Sequence, residues 1–82
     1  MTIYVGNLSY QATEEDLSSV FAEYGTVKRV VLPTDRETGR MRGFAFVEMK
    51  DTRAAEKAIR ELNGLTLDNR AIKVNEAREK RD

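Results

Sequence analysis

Eighty-two residues, 40% of them apolar, support one small domain with a single modest core. The absence of cysteine and histidine excludes disulfides, cysteine- or histidine-based zinc sites, thiol nucleophiles and imidazole acid–base chemistry, so packing alone must hold the fold. Fourteen bases balance fourteen acids, yet residues 25–45 carry five bases and two acids, and residues 70–82 five and three, while residues 1–24 carry four acids and no base; such a pattern fits a mixed solvated surface or two basic patches.

TIYVGNL, Thr2 to Leu8, is a short β-rich run, with Ile3 and Val5 on one face and Tyr4 on the other. Its flanking residues contain no basic region and no apolar run long enough for a signal peptide or a membrane span, and a cytoplasmic location is the expectation. Thr13 precedes Glu14, Glu15 and Asp16, a cap followed by acids that suit the positive end of a helix dipole. Leu17, Val20, Phe21 and Tyr24 then recur at i, i+3, i+4, i+7 as one apolar stripe, and Gly25 ends the helix.

Val27 to Pro33 reads as a second strand, with Val30 and Leu32 inward and Arg29 and Val31 outward; its first residues break strict alternation, as a bulge would. TDRETGR turns the chain through Gly39, on a loop expected to be mobile. RGFAFVEM, Arg42 to Met49, returns as a third strand antiparallel to the second. Alternation puts Arg42, Phe44, Phe46 and Glu48 on one face and Gly43, Ala45, Val47 and Met49 on the other. Burying two unpaired charges is costly, so the small apolar residues face inward and the phenylalanines face solvent. Aromatics left in water imply a ligand with a flat apolar face.

Asp51 caps a second helix, in which Ala55, Ala58, Ile59 and Leu62 keep helical spacing and Gly64 supplies the stop. The alternating charges on that helix, Lys50, Arg53, Lys57 and Arg60 among acids, form a solvated face. Ala71 to Ala77 is a last strand, with Ile72 and Val74 inward and Lys73 and Asn75 outward. The predicted fold class is α+β: a ferredoxin-like β-α-β-β-α-β sandwich, a four-stranded antiparallel sheet with two helices on one face, formed by residues 1–77. Residues 78–82, REKRD, form a charged tail.

An aromatic-bearing first and third strand within this order resembles the RNA-recognition motif family. RGFAFVEM fits the pattern K/R-G-F/Y-G/A-F-V-x-F/Y at every specified position but the last, where Met49 stands for an aromatic. Six such matches in a row arise by chance on the order of once in ten million positions. IYVGNL, residues 3 to 8, is similar to the family's other signature, and MTIYVGNLSY with LPTDRETGRMRGF resembles short single-domain RNA-binding proteins of cyanobacteria and their plant relatives. Met49 lies on the inward face, so the departure concerns packing more than binding.

The resemblance implies a monomeric, non-enzymatic partner of single-stranded RNA, with single-stranded DNA left open and no cofactor, metal or membrane insertion. Tyr4, Phe44 and Phe46 would carry stacked bases on the two central strands. Arg42 would reach a phosphate, with Arg29 and Lys73 flanking the rings and Arg36 and Arg40 on the loop. Asn7 and Asn75 would meet base edges, and Glu48 would accept from a base amino group or repel phosphate. Tyr10, Tyr24 and Phe21 read as core or edge packing.

Other functions of this fold fit less well. A phosphate-cleaving hydrolase would want an arginine in the first loop, and NLSYQAT has none; a copper or zinc carrier would want cysteines there. A protein-interaction module of the same fold is the serious alternative, but modules that resemble this family often replace the strand aromatics, which are present here, and place an Arg-x-Phe segment before the last strand. Here that segment reads LTLDNRAI.

Overall fold

The computed structural model describes residues 1–77, so the expected charged tail lies outside the described residues. In chain order the elements are β1 Thr2–Gly6, α1 Glu14–Ala22, β2 Val27–Val31, β3 Ala45–Met49, α2 Thr52–Leu62, β4 Thr66–Leu67, β5 Arg70–Ala71 and β6 Lys73–Glu76. The expected four-stranded antiparallel sheet has the spatial order β2-β3-β1-β6, which puts the two signature strands in the middle. The expected bulge lies in β2, between Val27 and Arg29.

Both helices begin where a side chain satisfies their free amides. Thr13 Oγ1 accepts from the Asp16 N–H at 3.1 Å while the Asp16 carboxylate accepts from the Thr13 N–H at 3.2 Å, a reciprocal capping box. Asp51 Oδ1 accepts from the Arg53 N–H at 2.9 Å at the start of α2. At the other end of α2, Asn63 leaves the helical conformation, and its Oδ1 accepts from the Val74 N–H at 3.0 Å, which ties the helix end to β6. Tyr24, just past α1, donates its hydroxyl to Glu61 Oε1 on α2 at 3.4 Å. Desolvation, and then the Glu61 carboxylate, hold its pKa above the usual tyrosine value.

Alternate sheet residues Ile3, Val5, Ala45, Val47, Met49 and Val74 meet Leu17, Phe21, Ala55, Ala58 and Leu62 of the helices in one buried cluster. Ala55 and Ala58 keep the facing surface of α2 small, so the helix can lie close against the strands. Met49 is fully buried, so the one departure from the strand signature is a core substitution.

Three local features differ from the sequence reading. First, β3 starts at Ala45 rather than Arg42, because Gly43 adopts φ +90°, outside the extended region of a regular strand. The Gly43 carbonyl accepts from the Leu8 N–H at 2.9 Å instead of joining the ladder, and the alternation resumes at Phe44. Second, the segment before the last strand folds into its own hairpin, with Thr66 opposite Ala71 and Leu67 opposite Arg70. Asp68 and Asn69 both have positive φ, 56° and 67°, as a two-residue type I′ turn demands. Ala71 therefore belongs to the hairpin, and the sheet strand begins only at Lys73.

Third, the loop bearing Arg36 and Arg40 is braced. The Asp35 N–H donates to the Arg40 carbonyl at 2.8 Å, the Gly39 N–H to the Asp35 carbonyl at 2.7 Å and the Glu37 N–H to Asp35 Oδ1 at 2.8 Å, while Thr34 bridges Met41. Met41 is buried and anchors this hairpin end to the core.

Val47 is opposite Ile3 on one side and Val30 on the other, fully buried under the helices. Val47→Ala removes two buried carbon groups and leaves a cavity, which should lower stability by about 2 kcal/mol. Urea unfolding checks this: the midpoint should fall with the slope unchanged.

Candidate nucleic-acid interface

Antiparallel register arranges the helix-free face of the sheet in rows. Val31, Phe46, Tyr4 and Asn75 form one row across the four strands, and Arg29, Glu48 and Thr2 form the next. At the opposite end Lys73 stands beside Gly6, and Phe44 precedes Ala45, which pairs with Val5. Phe44, Phe46 and Tyr4 are each partly exposed, whereas Ala45 and Val47 between them are fully buried. The alternation read from RGFAFVEM therefore holds from Phe44 to Met49.

The three rings touch one another. Tyr4 stacks on Phe44 with centroids 6.1 Å apart and planes inclined by 27°. Phe46 meets both edge-on, 6.0 Å from Tyr4 and 5.7 Å from Phe44. Such pairs are the favoured aromatic geometries and recover part of the burial the rings forgo. Gly6 makes the arrangement possible: a Cβ there would come within 2.5 Å of the Tyr4 hydroxyl oxygen and 2.8 Å of a ring carbon. With no side chain at Gly6, the Tyr4 ring lies down along the sheet and covers the glycine, which is buried.

Arg42 adds a cation to the same surface, its Cζ 5.7 Å from the Phe44 centroid. Arg29 and Lys73 are exposed at opposite ends of the open face, Arg29 directly across from Glu48. Asn75 is exposed beside Tyr4. Asn7 stands apart from this group. It adopts φ +57° at the end of β1, and its amide nitrogen donates to the Ala71 carbonyl at 2.8 Å, which leaves its Oδ1 acceptor as the atom a base edge would meet.

Two residues that the sequence reading did not select complete the surface. Tyr10, expected to pack, is 65% exposed. Arg70 holds its Cζ 5.9 Å above the Tyr10 ring while its Nη1 donates to the Leu8 carbonyl at 3.3 Å. Arg40 lines a groove with Tyr10, Asp35, Thr38 and Arg42, beside the entry to β3. Arginine next to aromatic was the available signal, but Tyr10 and Arg70 are sixty positions apart in sequence, and only the folded chain makes them neighbours. Phe21 is fully buried, as expected, and Tyr24 is partly buried.

Rings with cations at their margins suit a single-stranded polyanion whose bases are free to stack. Comparison with known proteins points the same way. "Putative RNA-binding protein RbpD" of the cyanobacterium Nostoc is 65% identical over 82 residues, spanning all of this chain and 87% of that protein. The solved structure described as RNA-binding protein PG1 superposes with a TM-score of 0.94 at 49% identity, covering 100% of this chain and 99% of that one. The Rna15 RRM, solved with bound RNA, superposes at 0.85 with 32% identity, over 95% of this chain and 83% of that one. The expected likeness to short cyanobacterial RNA-binding proteins is thus found. The model of the RNA recognition motif matches residues 3–73, the span that supplies every ring on the open face, and the chain belongs to that family.

Proposed function

We propose that this protein binds single-stranded RNA without catalysing a reaction, stacking bases on Tyr4, Phe44 and Phe46. The observation that carries this reading is the three-ring cluster left uncovered on the central strands and bordered by Arg42. A base laid on these rings removes apolar surface that no part of the described chain covers, and each such stack is worth about 1–3 kcal/mol. Arg42, Arg29, Lys73 and Arg40 hold phosphates, and Asn75 and Asn7 meet base edges. Glu48 sits between Arg29 and Thr2, where it accepts from a base amino group or keeps phosphate away from that end. The sheet holds roughly two to four nucleotides.

The same reading includes a monomeric protein acting in the cytoplasm, with residues 1–77 as the binding domain and 78–82 as an accessory charged tail. No helix among the described residues is long and apolar enough to cross a membrane. Peptide capture, the competing use of this fold, would give the ring cluster and its arginine no particular task. Single-stranded DNA is the competing ligand, and matched RNA and DNA oligonucleotides distinguish the two.

Phe44→Ala and Phe46→Ala should each weaken RNA binding by about 1–3 kcal/mol, because the contact removed is with the ligand. Titrations with short homopolymer RNAs, paired with thermal melts, check this; affinity equal to wild type in both variants would favour protein binding instead. Two to four neutralised phosphates give a log–log salt slope of roughly −1.5 to −3 for a single strand. Titrations across a salt series measure it, and a slope steeper than about −5 would mean a wider electrostatic footprint in which stacking is secondary.

A further inference from the structure

We propose that Tyr10 and Arg70 form a second base-binding site beside the sheet, in which one base of a single-stranded RNA is sandwiched between the tyrosine ring and the guanidinium; this rests on the reading that the protein binds such a strand. Tyr10 lies on the connection between β1 and α1, outside the three-ring cluster, and is 65% exposed although it is among the largest apolar surfaces on the chain. One edge of its ring meets the backbone. A Cβ added at Gly43 would lie 3.7 Å from a Tyr10 ring carbon, so the ring rests against the glycine that precedes Phe44. Gly43 adopts φ +90°, which favours glycine at that position, and the Tyr10 ring lies within ordinary van der Waals reach of it.

The opposite wall is equally defined. Arg70 begins β5, directly after the Asp68–Asn69 turn, and its Nη1 donates to the Leu8 carbonyl at 3.3 Å. That bond holds the guanidinium over the Tyr10 ring, with Cζ 5.9 Å from the centroid. A base inserted between two planar groups needs two stacking intervals of about 3.4 Å, more than the 5.9 Å between Cζ and the ring centroid, so Arg70 has to move outward, away from the Leu8 carbonyl, as the base enters. A guanidinium stacks on a base as readily as a ring does, and its charge is available to the adjoining phosphate.

The surroundings select the ligand. Arg40 and Arg42 line the groove around Tyr10, flanking the buried Met41, and Asp35 is the one carboxylate among the groove residues. Together with Arg70 this gives three cations to one anion around an exposed ring, which favours a polyanion over an acidic or neutral peptide. Because Arg42 also stands over Phe44, the groove is continuous with the ring cluster, and the site lengthens the bound strand at the Phe44 end.

The test uses the full chain and a labelled random-sequence RNA of about eight nucleotides, titrated by fluorescence anisotropy. Tyr10→Ala should weaken binding about five- to thirtyfold, with Tyr10→Phe matching wild type, since the ring and not the hydroxyl makes the contact. Arg70→Lys should fall below wild type, because an ammonium keeps the charge but cannot stack. Tyr10→Trp supplies the sole tryptophan of the chain, and its emission should be quenched as RNA is added. This reporter decides the matter even if Tyr10→Ala folds poorly. Wild-type binding that Phe46→Ala weakens and Tyr10→Ala does not, with tryptophan emission unchanged, would overturn the second site and leave the sheet site standing. No RNA binding by the wild type would remove the sheet reading itself.

Discussion

Strand periodicity under one-sided helical cover is the constraint on which the rest of this structure depends. Once Ile3 and Val5 on β1, and Ala45, Val47 and Met49 on β3, are committed to the helices, Tyr4 and Phe46 have no inward position available, and Phe44 follows the same phase. Full burial of a large apolar side chain is worth about 1.5–3 kcal/mol, so three partly uncovered rings represent stability not realised by folding. Mutual contact at 5.7–6.1 Å recovers a fraction. The remainder is available to a ligand that can cover the rings, and the glycine at position 6 keeps the surface flat enough for a planar one. Stability and recognition therefore draw on opposite faces of the same strands, which is why a substitution at Val47 and one at Phe46 have separable consequences.

Charge is distributed to match, although the chain is neutral as a whole. Four cations from the two basic stretches converge where β1 ends: Arg40 and Arg42 come from the β2–β3 hairpin, Arg70 from β5 and Lys73 from the start of β6, opposite Gly6. At the other end of the open face Arg29 is matched by Glu48 across the strand pair. Cations thus gather around Phe44 and Tyr10, while the Glu48 end is locally balanced. Net charge sets the long-range field, but a short strand responds to the cations within a Debye length of about 10 Å.

How much of this was legible in the sequence depended on the range of the interactions involved. Thr13 and Asp51 announce their helices because a cap acts within three residues, and RGFAFVEM announces its face because alternation acts within two. The bulge in β2 was visible as a broken alternation. The β4–β5 hairpin was not read, since strands of two residues are too short to show a period; the Asp68–Asn69 pair carried the signal, as two residues that tolerate positive φ. Gly43 reads as the inward face of a continuous strand because the pattern resumes correctly at Phe44, which conceals the turn. Tyr10 reads as packing in the sequence because nothing local shows that its loop lies against Gly43, or that Arg70 arrives from the far end of the chain.

The backbone around Leu8 joins these separately read parts. Its N–H donates to the Gly43 carbonyl at 2.9 Å, its carbonyl accepts from Arg70 and its side chain is fully buried, while the neighbouring exposed Asn7 donates to the Ala71 carbonyl. The end of β1 thereby fixes the entry to β3, which sets Phe44, and the hairpin, which sets Arg70. The two hydrogen bonds meet on the backbone of a single residue, so the entry to β3 and the Arg70 guanidinium are coupled through Leu8. In the other direction, the buried Leu8 side chain anchors both groups to the core. A surface built from three segments distant in sequence keeps its geometry because all three are tied to the same two residues, and the positive φ of Asn7 is what turns the chain so that both ties can form.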